Sequence, residues 1–337
     1  MAACYRLADR LSMVEPNSHP TLSGWRFRAL LLIVLLSAVG YLAFSIWGGW
    51  HEVVAAIVRV SYIGIGIALA LSLVNYGLRF VRWQKFLALL GHRVHATESL
   101  RIYIAGFGLT ILPGKVGETI RSVFLKHHGV TYQQSLAAFF SEQLSNLISI
   151  LLLVCIGLLA YPPAKPLVLV LAALIMVALV ILQQTRWLNA LKAIAHDKLP
   201  ARPAHFVTSA IEIVLHSGRC FSLPMLLYGI TLGLIAWGAE GVAFYYIMHV
   251  LGSDISLQTA LFIYSFSMLV GALSFLPGGL GGTEATMVAL LMLNGIGQPE
   301  AVAATVLIRL ATLWFAVGLG VVALTLPERI NKAAGKS

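Results

Sequence analysis

Two short polar motifs interrupt an otherwise apolar chain. Pro113-Gly114-Lys115-Val116-Gly117-Glu118 and Pro277-Gly278-Gly279-Leu280-Gly281-Gly282-Thr283-Glu284 each set a Pro-Gly turn and further glycines ahead of a carboxylate. A short helical piece follows each, over 119–126 and 284–293. Glycines let backbone N–H groups come close to a ligand, and the start of the following helix offers its positive end to an anion. Lys115 and Arg121 add formal positive charge to the first motif. The chemistry that fits is the holding of a phosphate or similar headgroup. The candidate binding residues are Pro113, Gly114, Lys115, Gly117, Glu118 and Arg121, with Pro277, Gly278, Gly279, Gly281, Gly282, Thr283 and Glu284. One such motif alone reads as a turn with an acid in the first helical turn. Two matched copies favour a ligand pathway, with Glu118 and Glu284 tuning it or meeting a cationic substituent.

A second set of candidates is the charges that fall within apolar runs: Arg79, Glu142, Glu240 and Arg309. Ionisable groups in lipid are costly, so they mark either function or internal pairing. Arg79 and Glu240 occupy equivalent places in an internal repeat with opposite charge and are expected to pair. Arg309 is suited to neutralise Glu284. The aromatic and basic run Arg79-Phe80-Val81-Arg82-Trp83-Gln84-Lys85 reads as an interfacial anchor that also attracts anionic headgroups. No metal site is expected: His127-His128 stand without further ligands, and Cys4, Cys155 and Cys220 form no CxxC. No phosphate loop, HExxH or GxSxG is present, and no cofactor is implied.

The composition says what must position these groups. Of 337 residues, 59% are hydrophobic and 11% charged, with a mean hydropathy of +0.88. A soluble surface needs about 25% charged residues, so the main solvent is lipid. The reading is an all-α polytopic membrane protein. About 20 apolar residues cross the hydrocarbon, which gives six full spans at 29–47, 61–78, 135–161, 167–182, 224–250 and 301–326. The first reads as an uncleaved span after a cytoplasmic tail over 1–28, and 327–337 forms a second tail. Two interrupted stretches, 100–112 and 257–275, run into the Pro-Gly motifs. Broken backbone at membrane depth is tolerated when buried in protein or lining a wet cavity, so both are expected to be re-entrant helical hairpins. The linker 183–222 carries Phe206, Val207, Ala210, Ile211 and Val214 at helical spacing and is expected on the membrane surface.

The chain repeats itself. Pro113, Gly114 and Gly117 match Pro277, Gly278 and Gly281; Glu118 matches Glu284, and Gly129 matches Gly295. Leu90-Gly91 faces Leu251-Gly252 upstream. The units cover about 61–161 and 224–326 within a single membrane domain over 29–326. A re-entrant hairpin returns to the side it entered, and one span lies between the units. The repeat is therefore expected to be inverted, as in transporters. The topology places 20 of the 23 Lys and Arg on one side, which predicts both termini in the cytoplasm. The net charge of +10 is then topological, with no nucleic acid partner.

Leu78-Arg79-Phe80-Val81-Arg82-Trp83, Leu112-Pro113-Gly114-Lys115-Val116-Gly117-Glu118 and Leu276-Pro277-Gly278-Gly279-Leu280-Gly281, followed by Glu284-Ala285, resemble the membrane domain of lysylphosphatidylglycerol synthetases and their stand-alone relatives, a flippase-like family. The resemblance covers roughly 28–326. It implies a bacterial inner-membrane protein that moves a lipid or lipid-linked headgroup between leaflets, with the hairpin tips meeting near the middle of the bundle. Two departures stand out. Relatives usually carry Glu-Arg-x-x-Asp after the first hairpin, where this chain has Glu142-Gln143-Leu144-Ser145-Asn146. No soluble aminoacyl-transferring domain is expected, because the chain ends 11 residues after the last span.

The expected function is a flippase-type transporter of an anionic or phosphate-linked lipid or glycolipid, and not an enzyme. Two alternatives stay open. One is a membrane-embedded transferase acting on a polyprenyl-linked or phospholipid substrate, and the other is a non-catalytic partner of a separate lipid synthase. The partners implied are membrane lipids and a lipid-modifying enzyme.

Overall fold

A computed structural model of the chain describes residues 49–110, 121–158, 161–274 and 276–325, together with Gly40. Every regular element among them is helical. The first half contains α1 (Trp50–Leu89), α2 (Ala96–Phe107), α3 (Arg121–Lys126) and α4 (Tyr132–Gly157). A connecting region follows: α5 (Lys165–Gln183), α6 (Thr185–Lys198) and α7 (Ala201–Arg219). The second half contains α8 (Leu223–Val250), α9 (Leu257–Leu273), α10 (Gly282–Leu293), α11 (Gln298–Arg309) and α12 (Phe315–Thr325).

Among the described residues, five helical stretches are long and apolar enough to cross a membrane: Trp50–Leu89, Tyr132–Gly157, Pro162–Gln183, Leu223–Val250 and Gln298–Thr325. They correspond to five of the six expected spans. The sixth, over 29–47, and both tails lie outside the described residues, Gly40 apart. Two boundaries differ from expectation. The span expected over 61–78 continues in helix to Leu89, and Ser61 (φ 58°) breaks it from a preceding helical piece. The last span is continuous only through a π turn at Leu310–Trp314, directly after Arg309. Such turns widen the backbone ladder and occur often at functional sites.

The repeat is written into the turns. Gly91 after α1 and Gly252 after α8 have φ of 94° and 90°. Each is followed by the same return bond, His92 N–H to Leu87 C=O and Ser253 N–H to Met248 C=O, both 3.0 Å. Gly129 and Gly295 match likewise, at φ 76° and 82°. A side chain in this left-handed region is strained, so glycine ends the helix at each place.

The two apolar helices of the second broken segment have 17 and 12 residues, about 25 and 18 Å long. They pack on each other around the turn Pro277–Gly279. Thr283 lies against Gly271, where a Cβ would collide with its hydroxyl, and Ser274 packs tightly on Gly282.

The linker corrects one expectation. Ile211, Ala204 and Ser217 of α7 are buried, and the Ser217 hydroxyl donates to Ala137 C=O of α4 at 3.4 Å. Part of the apolar face expected in lipid is thus packed on the bundle, while Phe206 and Ala210 remain exposed. The more exposed apolar residues, Trp187, Leu191 and Ile194, sit on α6. An ion pair between Lys192 and Glu212 (2.6 Å) ties α6 to α7.

The backbones of the two halves meet where Gly108, capping α2, packs against Gly320 of α12. A Cβ on Gly320 would strike the backbone of Gly108, while one on Gly318 meets nothing within 4 Å. Gly320→Ala is therefore expected to destabilise the protein by about 1–3 kcal/mol, and Gly318→Ala to be near neutral. Thermal unfolding in detergent measures both.

Candidate functional site

The first site is built around Glu142, fully buried in α4. Three elements converge on it. Arg121 of α3 donates to Oε2 at 3.0 Å, Arg79 of α1 to Oε1 at 3.3 Å, and the Tyr103 hydroxyl of α2 to Oε1 at 2.5 Å. Aromatic rings wall the cluster. The Arg121 guanidinium lies 4.2 Å from the Tyr103 ring centre and 5.3 Å from that of Trp83. Arg79 lies 5.4 Å from the Trp237 ring and 5.7 Å from that of Phe107. Gly106 leaves the space through which the Arg121 side chain passes.

Arg82 sits one turn beyond Arg79 and is fully buried. It donates to the Ser145 hydroxyl (3.0 Å), to Gly229 C=O (3.2 Å) and to Asn146 Oδ1. Trp237 donates to the same Asn146 oxygen at 3.2 Å. Gly229 and Gly233 of α8 make the room: a Cβ on Gly233 would lie 3.0 Å from the Arg82 guanidinium. Among the described residues, no carboxylate comes within 4.0 Å of Arg82. The positions equivalent to the usual family acid pattern are thus not idle, because Asn146 serves as an acceptor for a buried cation.

These contacts correct the reading of the run 79–85 as an interfacial anchor. Arg82 and Trp83 are at 0% exposure, and α1 carries Arg79, Arg82, Trp83 and Phe86 on one interior stripe. Arg79, Arg82 and Arg121, three of the twenty cations assigned to one membrane side, lie inside the bundle.

The second motif is built differently. Glu284 opens α10, and its Oε2 accepts from Gly281 N–H at 2.6 Å. Its Oε1 accepts from Arg309 Nε, also at 2.6 Å. The pairing of Arg309 with Glu284 read from the sequence is therefore present. Arg309 also donates to Gly278 C=O at 3.0 Å. Gly278, Gly279 and Gly281 all have positive φ, and Thr283 is buried. The polar groups of this turn are largely engaged with one another, so Glu284 and Arg309 act first as the staple of the turn.

The expected pairing of Arg79 with Glu240 is not formed. Arg79 reaches Glu142 instead, and Glu240 accepts a bond from the Tyr264 hydroxyl at 2.6 Å. Tyr103 and Tyr264 each follow their repeat partner, Arg79 or Glu240, by 24 residues. Each donates to a buried carboxylate on a different helix. Sequence reasoning missed both tyrosines, as well as Arg82, Trp237 and the acceptor role of Asn146. The matched tyrosines were a usable signal, since they keep the repeat's register. Pro113, Gly114, Lys115, Gly117 and Glu118 lie outside the described residues. Arg121, which follows them, belongs to the Glu142 cluster. The described residues contain no cluster of three or more metal-ligating side chains.

With regular elements that are all helical among the described residues, several apolar spans and six buried charged side chains, the chain is a multi-pass integral membrane protein. It belongs to the family described as lysylphosphatidylglycerol synthase TM region, which matches residues 28–320. It is similar to a UPF0104 membrane protein of Pyrococcus horikoshii, 23% identical over 316 residues that cover 86% of this chain and 94% of the relative. A UPF0104 membrane protein of Methanothermobacter thermautotrophicus is 24% identical over 314 residues, covering 88% and 92%. Another from the same organism is 30% identical over 132 residues, 38% of each chain.

The buried pair of the second half makes a clear stability prediction. Removing one partner of a buried ion pair costs about 3–5 kcal/mol, because the other charge is stranded, whereas replacing both with apolar groups is often close to neutral. Arg309→Met is expected to destabilise more than the double variant Arg309→Met/Glu284→Leu. Equilibrium unfolding in detergent of the wild type, Arg309→Met, Glu284→Leu and the double variant gives the coupling, and additive losses would show that the pair is not coupled.

Proposed function

We propose that the protein is a transporter of flippase type that moves a lipid with a phosphate or other anionic headgroup between the leaflets of the cytoplasmic membrane. The observation that carries this reading is Arg82: a fully buried guanidinium whose acceptors are all neutral, beside Arg79 and Arg121. Withdrawing an ion from water costs several kcal/mol, and a counter-ion in good geometry offsets that cost. A planar guanidinium suits a phosphate oxygen pair. Buried polar atoms of Asn75, Ser265 and Ser267 that have no partner among the described residues support a polar interior.

Under this reading the broken segments are re-entrant hairpins of an inverted repeat. The helices flanking Pro277–Gly279 are shorter than the hydrocarbon thickness of about 30 Å, and both termini are cytoplasmic. The chain contributes movement and not catalysis, with headgroup chemistry left to a separate lipid-modifying enzyme. Loss of a hydrogen bond to a charged group costs about 1.5–3 kcal/mol. Leaflet exchange of a fluorescent phosphatidylglycerol in proteoliposomes is therefore expected to fall at least about tenfold in Arg82→Gln. Wild-type exchange by a correctly folded Arg82→Gln protein would remove Arg82 from the site.

A further inference from the structure

We propose that Glu240 is a proton-binding residue that takes up and releases a proton during each cycle and so couples lipid movement to a proton gradient. The coupling half of this proposal rests on the transport reading above; the proton site does not. Glu240 is 3% exposed and lies deep within α8, about 26 Å from the start of the helix and about 15 Å from its end. The three buried carboxylates among the described residues differ in one respect. Glu142 is held by two guanidiniums and Glu284 by one. Among the described residues, Glu240 has no basic group within 4.0 Å, and its hydrogen bond is donated by a phenol, Tyr264. An ionised carboxylate without a paired cation is the costliest group to bury, and the neutral acid avoids that cost.

The groups around Glu240 supply the second state. The groups that interact electrostatically with it are Tyr76 and Arg79 of α1, Tyr264 of α9 and Arg309 at the end of α11. On α4, Glu142 holds Arg79, and Asn146 accepts from Trp237, one turn before Glu240 on α8. Arg79 thus stands between two carboxylates, bonded to Glu142 and stacked on Trp237. While Glu240 carries its proton, Arg79 stays on Glu142. When the proton leaves to water, the new anion competes with Glu142 for the same guanidinium. One proton binds a Glu240 carboxylate oxygen and one leaves, with no other bond made or broken. Motion of Arg79 shifts charge within the cluster that would hold the headgroup, which gives a physical link between proton and lipid.

The test uses the full-length protein in phosphatidylglycerol/phosphatidylethanolamine vesicles. Infrared difference spectra across a pH titration are expected to show the C=O stretch of an un-ionised carboxyl group that titrates. Glu240→Gln should abolish this band, Glu240→Asp should shift it, and Glu284→Gln should retain it. A band that is absent from the wild type, or that survives in a folded Glu240→Gln protein, overturns the proton site. An imposed pH gradient is expected to speed wild-type exchange of labelled phosphatidylglycerol about fivefold and to leave Glu240→Gln exchange unchanged. Wild-type exchange indifferent to the gradient overturns coupling. If the wild type exchanges no lipid at all, the transport reading fails and coupling fails with it, while the infrared result still decides the proton site.

Discussion

The structure depends on how it satisfies charges that have been taken out of water. Glu142 shows this most directly. A carboxylate at the centre of a four-element convergence is held by two guanidiniums and a phenol that come from α1, α2 and α3. None of these helices can shift far without stranding a charge, and a stranded buried charge costs several kcal/mol. In lipid, apolar surface gives little drive for one helix to choose another, so packing and polar contacts decide which helices meet. The Glu142 cluster therefore fixes the arrangement of the first half in a way that hydropathy alone does not.

The second half repeats the backbone and changes the charges. Its turns keep the left-handed glycines Gly252 and Gly295, and Tyr264 keeps the place of Tyr103. The cation at Arg79 becomes the anion Glu240, and the ion pair moves to Arg309 and Glu284. The pairing follows the different jobs of the two segments. Arg309 ties a carboxylate and a turn carbonyl together, so it shapes the Pro277 turn. In the first half, the cations of the Glu142 cluster sit on α1 and α3. Among the described residues, the buried cations are Arg82 and Arg121 in the first half and Arg309 in the second, so halves with matched turns carry different charges.

Much of this was legible in the sequence, for physical reasons that can be named. Spans follow from apolar run length, and five of the six expected ones are helices. The Arg309–Glu284 pair followed from two charges that had no other reason to sit in apolar surroundings. The reading failed at Arg79–Lys85 because a run that mixes cations with aromatics at the end of an apolar stretch has the composition of an interface. What decides its place is the partner it faces. Gly229 and Gly233 of α8, which admit Arg82, lie about 150 residues downstream, and no local pattern joins them to it. The Arg79–Glu240 pairing failed similarly. Equivalence in a repeat predicts equivalent backbone, whereas contact depends on which carboxylate the packing brings nearest. For the first motif, Lys115 and Glu118 lie outside the described residues; Arg121, which follows them in the chain, belongs to the cluster.

The contacts between the halves define what any movement must disturb. Gly108 and Gly320 bring two backbones together with no side chain to cushion them. Close by in α1, the Tyr76 hydroxyl donates to Thr312 C=O within the π turn that follows Arg309. Thr312 C=O also accepts from Phe315 N–H, so Tyr76 is a second donor on that carbonyl. The ring of Tyr76 also lies 5.2 Å from that of Phe107, which packs at 5.2 Å on Tyr103, the phenol bonded to Glu142. A chain of contacts therefore runs from the helix carrying Arg309 to the carboxylate that holds Arg79 and Arg121. Because each link is a packed ring or a directed hydrogen bond, the halves cannot slide past each other gradually. Relative motion must exchange one set of partners for another, and the charged residues on either side of Tyr76 are the ones whose partners would change.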